Sequence, residues 1–236
     1  MTGYGGLPLR FEAVSFERAR QKLIDNLDLE IRTGPPTFIL GPNGAGKSLT
    51  LRLAHGLLEP TAGRVTWRDH PQPAQAMVFQ RPVMLRRSAI ANIRFALAVH
   101  HVPRDRWNER CEMVLDRTGL NDLAHRPARR LSVGEQQRLA LARVWALEPA
   151  VLFLDEPTAS LDPAATRRVE AIVQAIAEGG TKIIMTSHDL GQAKRLAGEI
   201  LFLHKGRLLE RTPAERFFNV PDSAEAQAFL KGELLW

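Results

Sequence analysis

Two segments of the sequence combine residue types that bind phosphate groups and activate water against them. The first, GPNGAGKS at residues 41–48, fits the pattern GxxxxGK[ST] and lies between a predicted strand at 37–40 and a predicted helix at 47–58. The glycines let successive N–H groups point inward at phosphate oxygens, and the helix adds its positive dipole end. Lys47 would neutralise the β- and γ-phosphates, and the Ser48 hydroxyl would bind Mg²⁺. The residues predicted to contact the nucleotide are Gly41, Asn43, Gly44, Gly46, Lys47, Ser48 and Leu49.

The second segment, VLFLDEP at residues 151–157, is an apolar strand that ends in two adjacent carboxylates. Ligands of open α/β sheets bind beyond the carboxyl ends of the strands, so both carboxylates are expected at that edge. Asp155 would hold the Mg²⁺ through its water shell, and Glu156 would orient and polarise the attacking water. By itself the segment is equally well a buried strand followed by an acidic turn. Beside the phosphate loop, the catalytic interpretation is favoured.

A third segment, LSVGEQQR at residues 131–138, precedes a predicted helix and narrows the class of nucleotide-binding protein. A Ser hydroxyl and a Gly N–H at a helix start make a second anion cradle, although an ordinary N-capped helix is the alternative on these residues alone. In combination, the segments resemble the ATP-binding subunits of ABC transporters, whose signature reads LSGGQ; this chain departs from it at Val133 and Glu135. In that family the cradle reaches the γ-phosphate bound to a partner subunit. The resemblance therefore implies nucleotide contacts from Ser132, Gly134 and Gln136.

The resemblance covers about residues 9–210 and implies roles for further residues. Gln80, after a predicted strand at 76–79, matches the glutamine that contacts Mg²⁺ and the attacking water. His188, after a predicted strand at 182–185, matches the histidine that contacts the γ-phosphate. Asp162 matches the loop that crosses to the partner subunit, and it is also a candidate helix N-cap. The apolar residues 82–85 match the groove where a membrane subunit's cytoplasmic helix docks, with simple packing as the alternative.

The adenine base is where the sequence departs furthest from the family pattern. The family usually places an aromatic residue in the N-terminal strand region to stack on adenine, whereas this chain has Arg18 there and Phe16 two residues earlier. Three alternatives stay open: the Arg18 guanidinium stacks on the base, Phe16 reaches it, or the base is held loosely.

The elements that must position these residues alternate between strand and helix. Further strands are predicted at 9–16, 27–32, 63–67 and 199–203, and helical character is predicted at 88–146, at a helix that Asp162 caps, and in the tail from Pro213. Such alternation predicts an α/β fold with a mostly parallel sheet covered on both faces. With the phosphate loop, this is a P-loop NTPase core with an N-terminal antiparallel β element. A helical subdomain would be inserted at about residues 81–147 of a single domain spanning 1–236.

Composition and charge restrict the setting in which the chain works. The 236 residues carry a formal net charge of +6, which favours anionic partners, and the 44% hydrophobic content predicts a well-buried core. The longest apolar runs are strand-length, well short of the roughly 18 residues that a membrane span needs. The single cysteine, Cys111, excludes an internal disulfide framework and a multi-cysteine metal site. With the resemblance, these properties predict a cytoplasmic protein, peripheral on the inner face of the cell membrane.

The resemblance implies an ATPase that powers a bacterial importer with ATP and Mg²⁺. The implied partners are a second copy of the chain or a homologous subunit, separate transmembrane permease subunits, and an extracytoplasmic solute-binding protein. Residues 53–63 and 79–87 look most similar to importers of tungstate or molybdate.

Two alternatives remain beside the transport interpretation. One is a dimeric ATPase of the same type acting on nucleic acid, which the basic charge favours. This compact chain has no room for the long insertions of such relatives, so no nucleic-acid partner is expected. The other is a regulatory module that binds ATP without turning it over, and the presence of both Glu156 and His188 argues against it.

Overall fold

The chain forms two β-sheets and eight α-helices in the computed structural model, which describes residues 6–68 and 74–233. The strands are β1 (Leu9–Arg18), β2 (Gln21–Ile31), β3 (Thr37–Leu40), β4 (Ala62–Trp67), β5 (Gln75–Val78), β6 (Val151–Asp155), β7 (Lys182–Thr186), β8 (Glu199–His204) and β9 (Arg207–Pro213). The helices are α1 (Lys47–His55), α2 (Ala89–Val99), α3 (Trp107–Arg117), α4 (Val133–Trp145), α5 (Pro163–Glu178), α6 (Leu190–Leu196), α7 (Ala214–Asn219) and α8 (Ala224–Leu230). Residues 1–5, 69–73 and 234–236 of the predicted single domain lie outside the described residues.

The larger sheet has the strand order β5-β6-β7-β3-β8-β9, and every neighbouring pair is parallel except the antiparallel β8–β9 pair. The smaller sheet, β2-β1-β4, is antiparallel. These features confirm the predicted α/β class with its mostly parallel sheet and N-terminal antiparallel element. Because β6, β7 and β3 are neighbours, the segments that follow them emerge at one edge of the sheet. That edge carries the phosphate loop, the two carboxylates and the segment containing His188.

The larger sheet is buried on both faces, which explains why the central strands β3, β6 and β7 each contain a run of at least three consecutive apolar residues, with polar residues at the strand ends. Along β3, Phe38 and Leu40 join a hydrophobic cluster with the helices, whereas Ile39 joins a second cluster with the antiparallel sheet and α1. Side chains alternate in the same way along β6, where Phe153 reaches the second cluster. Burying each Phe, Leu or Ile side chain contributes about 1.5–3 kcal/mol to the free energy of unfolding. The loops at the sheet edge are therefore carried on a rigid base.

Helix starts agree with the local capping signals in the sequence. Asp162 Oδ1 accepts hydrogen bonds from the N–H groups of Ala164 and Ala165, both at 2.9 Å, and Pro163 occupies the first position of α5. The Ser88 side chain accepts a hydrogen bond from the N–H of Ala91 at the start of α2. Three helices, α2 to α4, lie between β5 and β6, in the stretch predicted to be helical. No helix in the described ranges has the length and apolar character that crossing a bilayer requires.

Two elements were not predicted from the sequence. Strand β9 reads RLLERTP, and its residues alternate between exposed and partly or fully buried, so no continuous apolar run marks it. Pairing with β8 at the end of the sheet makes it a strand. Helix α6 follows Asp189, whose side chain caps it through the N–H of Gln192, but its seven residues are too few for a clear helical period.

Candidate active site

The loop between β3 and α1 has the backbone that phosphate binding requires. Gly41 has φ 146°, and an added Cβ there would lie 2.0 Å from the Leu203 carbonyl oxygen, so only glycine fits. Helix α1 starts after Gly46, which has φ 98° and contributes no side-chain cap. Its first turn contains no acidic residue either. The first N–H groups of α1 are consequently available, together with the helix dipole, to an anionic ligand.

Lys47 lies within this loop with only 6% of its surface exposed. Its Nζ donates hydrogen bonds to the carbonyl oxygens of Gly41 at 2.8 Å and Pro42 at 3.0 Å. Burial lowers the pKa of Lys47, and the carboxylates of Glu156 and Asp155 oppose that shift. The ammonium group is thus held where its charge acts on whatever the loop binds.

Ser48 and Asp155 are the paired oxygen donors of the site. The Ser48 Oγ donates to Asp155 Oδ1 at 2.7 Å, and the Thr186 hydroxyl donates to the same oxygen at 2.9 Å. Asp155 is 5% exposed, and the guanidinium of Arg52 lies 3.9 Å from its other carboxylate oxygen. Hydroxyl and carboxylate oxygens beside a phosphate loop are the donor set that Mg²⁺ takes in nucleotide sites. These residues therefore fit the magnesium ion that the sequence predicts.

Glu156 and His188 form a pair next to these donors. The Nδ1 of His188 lies 3.0 Å from Oε2 of Glu156, and the Glu156 N–H donates to the Thr186 hydroxyl at 3.0 Å. Glu156 has φ 45°, a left-handed conformation that costs a non-glycine residue about 1–3 kcal/mol and is typical of functional sites. The Glu156 side chain is 18% exposed and that of His188 is 56% exposed, so both can meet a ligand at the surface.

The start of α4 carries a second, differently built group. The Ser132 Oγ accepts from the Glu135 N–H at 3.3 Å, and the Ser132 N–H donates to Glu135 Oε2 at 2.7 Å, which completes a capping box. That backbone hydrogen bond is the main reason that the pKa of Glu135 is lowered. An added Cβ at Gly134 would lie 3.1 Å from the Cβ of Ala165, so the starts of α4 and α5 pack closely together. The structure thus brings Ser132 and Gly134 next to the helix that Asp162 caps.

A cleft of about 310 Å³ is lined by residues of these two helix starts. Ser132, Gly134 and Asp162 line it, and so do the basic residues Arg138 and Arg168, to which no role was assigned from the sequence. Within the described ranges, no hydrogen bond or ion pair connects this cleft to the phosphate loop. The two predicted anion-binding sites are therefore not joined by hydrogen bonds or ion pairs within the described part of one chain.

Comparison with known proteins identifies the family. The family model described as "ABC transporter" matches residues 24–159. The chain belongs to the ABC transporter family. Like its relatives, it is an ATP-binding subunit and an ATPase.

Relatives of this ABC ATPase include three import or transport proteins. The phosphate import ATP-binding protein PstB 2 of Natronomonas pharaonis is 36% identical, over 91% of this chain and 83% of its own. The nickel import ATP-binding protein NikO of Rhodobacter capsulatus is 35% identical, over 86% of this chain and 88% of its own. The glutamine transport ATP-binding protein GlnQ of Escherichia coli is 32% identical, over 94% of this chain and 98% of its own. These relatives give no support to the nucleic-acid alternative.

Solved structures agree with this assignment. The cbiO1 structure from Clostridium perfringens, described as part of the ABC transporter complex cbiONQ, is 27% identical with a TM-score of 0.81, over 91% of this chain and 92% of its own. A structure of an ATP-binding subunit of an ABC transporter, 22% identical, has a TM-score of 0.82 over 95% of this chain and 99% of its own, and shows the shared fold.

Three residues predicted to contact the nucleotide or Mg²⁺ form no hydrogen bond with the phosphate loop in the described part of the chain. Gln80 lies in an exposed bend after β5, and Arg18 is an exposed residue at the end of β1. The Gln136 side chain donates to the Leu131 carbonyl at 2.8 Å. The ring of Phe16 is partly buried against the second hydrophobic cluster. The three alternatives for adenine are therefore unchanged.

Thr186 and Gln192 are polar residues of the site that were missed from the sequence. Thr186 contacts both Asp155 and the backbone of Glu156. Its position at the end of the strand before His188 was a usable signal, but the pairing of β7 with β6 was needed to place it there. Gln192 is completely buried behind the segment that contains His188.

Proposed function

We propose that the chain hydrolyses Mg²⁺-ATP at a site completed by a second copy and that this hydrolysis powers solute import through separate membrane subunits. The arrangement that supports this most is the juxtaposition of Ser48, Asp155 and Thr186 with the Glu156–His188 pair, beside a phosphate loop. Metal donors, a candidate base and a candidate γ-phosphate contact meet at one edge of the sheet.

The ATP phosphates would lie along the loop and at the start of α1. The N–H groups of Gly44, Gly46 and Lys47 would bind phosphate oxygens, and Lys47 would neutralise the β- and γ-phosphates. Ser48, Asp155 and Gln80 would hold Mg²⁺, and the ion would neutralise charge that develops on the phosphate oxygens.

Glu156 would orient the attacking water. Its carboxylate accepts a hydrogen bond from the water and places the water in line with the γ-phosphorus. Because a carboxylate only accepts hydrogen bonds, Nδ1 of His188 would donate to Glu156, and a doubly protonated ring would also donate from Nε2 to a γ-phosphate oxygen. The Thr186 hydroxyl, shared by Asp155 and the Glu156 backbone, keeps the metal donors and the base in register.

The second copy would supply the cradle at the start of α4. Ser132 and Gly134 of one chain would contact the γ-phosphate held by Lys47 of the other, and the loop that ends in Asp162 would cross the interface. Arg138 and Arg168 add positive charge to the cleft, which suits a phosphate ligand. Closing two chains head to tail would then exclude water from both sites.

The variant Glu156→Gln tests this site. Removing the base is expected to lower ATP turnover about 100-fold or more and to trap an ATP-dependent dimer in gel filtration with Mg²⁺. Glu109→Gln, an exposed change in α3, is the matched control and should retain turnover. A Glu156→Gln protein that stays monomeric with ATP and hydrolyses it like wild type would show that both the base and the dimer are assigned wrongly.

We infer that the membrane subunit docks in an apolar groove of about 400 Å³ between the sheet and the helical region. Its exposed walls include Leu57, Phe79, Phe95 and Val99, and Arg87 covers the Phe95 ring at 5.3 Å. Exposed apolar area of this kind is typical of a partner surface. An apolar helical segment of the permease fits the groove.

The predicted docking residues 82–85 divide between docking and packing. Leu85 lines the groove, whereas Met84 belongs to the hydrophobic core. Phe95→Asp should abolish co-fractionation with membranes when the permease is co-expressed, and Val220→Asp, at a more exposed apolar residue outside the groove, should not. Co-fractionation of the wild-type protein would support its proposed peripheral location on the inner membrane face. Unchanged membrane binding by Phe95→Asp would show that the permease docks on another surface of the chain.

The transported solute is proposed to be an oxyanion of the tungstate or molybdate type, delivered by an extracytoplasmic solute-binding protein. The support is the similarity of residues 53–63 and 79–87 to such importers, together with a relative described as importing phosphate, another oxyanion. ATP turnover by the reconstituted transporter with its binding protein should rise with tungstate or molybdate. Stimulation by nickel or glutamine instead would contradict this substrate class.

A further inference from the structure

A buried carboxamide joins three segments directly behind the reacting groups. Gln192 has no exposed surface, and its Oε1 accepts from the Ser187 hydroxyl at 2.8 Å. Its Nε2 donates to the Thr158 hydroxyl at 3.0 Å and to Glu170 Oε1 at 3.1 Å. Ser187 immediately precedes His188, and Thr158 follows Glu156 by two residues. The two segments that carry the reacting side chains are therefore bridged by one side chain from α6.

Glu170 determines which end of the carboxamide faces which segment. It is 7% exposed, and both of its oxygens accept hydrogen bonds from the guanidinium of Arg195, at 2.6 and 3.1 Å. A carboxylate only accepts hydrogen bonds, so the Nε2 of Gln192 must face Glu170 and the Oε1 must face Ser187. The Ser187 hydroxyl then donates to Oε1 and accepts from the Asp189 N–H at 3.0 Å. This chain of bonds defines the backbone on both sides of His188.

We propose that Gln192 is a positioning residue for hydrolysis: it sets the spacing between His188 and Glu156 by tying their two segments to α5. The inference rests on the proposed roles of those two side chains in ATP hydrolysis. His188 is 56% exposed at its side chain, so little else packs against it. A buried, fully bonded polar group costs free energy when any partner is lost, which makes the bridge resist changes in spacing.

The variant Gln192→Leu removes the side-chain hydrogen bonds to Ser187, Thr158 and Glu170 at nearly constant volume. Turnover (kcat) is expected to fall about tenfold or more, because small displacements of reacting groups are costly, while the KM for ATP changes less than about twofold. Binding of ATP depends on the phosphate loop, which Gln192 does not contact. Gln174→Leu in α5, at an exposed glutamine whose side chain donates to Glu178, is the matched control and should retain both constants.

A charge exchange distinguishes positioning from loss of stability. Gln192→Glu places two carboxylates against each other and should lower kcat about tenfold. Adding Glu170→Gln supplies a donor for the new carboxylate and should restore kcat at least about fivefold. This pair keeps the test decisive even where Gln192→Leu fails to fold.

Two results would overturn the inference. One is a wild-type kcat in a folded Gln192→Leu protein. The other is a kcat that Glu170→Gln fails to restore in the Gln192→Glu background, although the single and the double variant both melt within a few degrees of wild type. If the wild-type protein shows no Mg²⁺-dependent turnover, or Glu156→Gln leaves it unchanged, the proposed function itself fails and this inference fails with it. The positioning role is supported if kcat falls in the Gln192 variants but not in the Gln174→Leu control, and if adding Glu170→Gln to Gln192→Glu restores kcat.

Discussion

The starts of α1 and α4 are both proposed to contact phosphate, but their N-termini are capped differently. At α1 the capping position is glycine, the first turn has no acidic residue, and the N–H groups have no side-chain acceptor. At α4 the Ser132 side chain and the Glu135 carboxylate already occupy the equivalent hydrogen bonds. Helix α1 is ready to bind an anion within a single chain, whereas α4 satisfies its own terminus.

Because of this difference, we expect the start of α1 to bind ATP within one chain and the start of α4 to act when two chains close on each other. A phosphate that approaches α1 meets unpaired donors and the buried ammonium of Lys47. A phosphate that approaches α4 must compete with an internal carboxylate, although Arg138 and Arg168 nearby offset that charge. ATP binding is expected to be strong at the first surface alone, and the second surface should contribute only when another chain presents its nucleotide.

The largest effect is expected from removing the charge at the first surface. Lys47→Met should abolish measurable ATP binding and lower turnover about 100-fold or more, because the phosphates lose their buried cation. Its melting temperature should stay level or rise, since removing a buried charge relieves a desolvation penalty. Isothermal titration with ATP and thermal melts measure both; Lys231→Met, in the exposed tail, should behave like wild type. Unchanged ATP affinity in Lys47→Met would show that the start of α1 is not the stronger ATP-binding surface.

A smaller and different effect is expected from the second surface. Ser132→Ala should leave the ATP affinity of dilute, monomeric protein within about twofold but lower turnover about tenfold, because the partner's γ-phosphate loses a contact. It should also destabilise the chain by about 1 kcal/mol through loss of the cap. Ser223→Ala removes a comparable cap at α8 and should lower stability without lowering turnover. Equal losses of turnover in Ser132→Ala and Ser223→Ala would show that Ser132 acts only as a helix cap.

The smallest effect, a gain instead of a loss, is expected from removing the charge of Glu135. Glu135→Gln keeps the capping geometry but removes the negative charge at the second surface. The affinity of the ATP-dependent dimer should rise about two- to fivefold at low salt, and this gain should shrink as salt screens the charge. Glu109→Gln, also in the first turn of its helix, should leave the dimer unchanged. A weaker dimer in Glu135→Gln would mean that the carboxylate assists closure.

The pH dependence of stability tests independently whether the ionised Glu135 carboxylate stabilises the folded chain. The pKa of Glu135 is lowered on folding, so its ionised form contributes stability above its ordinary pKa of 4.5, and this contribution is lost as pH falls through the folded pKa. The stability difference between wild type and Glu135→Gln should therefore be largest at neutral pH and vanish in acid. Chemical denaturation at several pH values measures it, and a difference independent of pH would contradict the assignment.

The local features of this site could be predicted because their hydrogen bonds span only a few residues. The caps at Ser88 and Asp162 involve partners two or three residues away, and the phosphate loop follows from its glycine spacing. The capping box was not predicted, although its residues, Ser132 and Glu135, fit the pattern. The sequence motif predicts that Ser132 caps a helix, whereas the return hydrogen bond from the Ser132 N–H to the Glu135 carboxylate is seen only in the structure.

The fold class, the family and the candidate site residues could be predicted from the amino-acid order alone, because strand periodicity and motif spacing are encoded locally. Which of those residues lie in contact depends on the tertiary structure. The Ser48–Asp155 hydrogen bond joins positions 107 residues apart, and Thr186 reaches Glu156 only because β7 lies beside β6. The bridge through Gln192 likewise depends on α6 packing behind two strand ends. Long-range pairing follows from burial of both sheet faces, a property of the whole chain that no single segment carries.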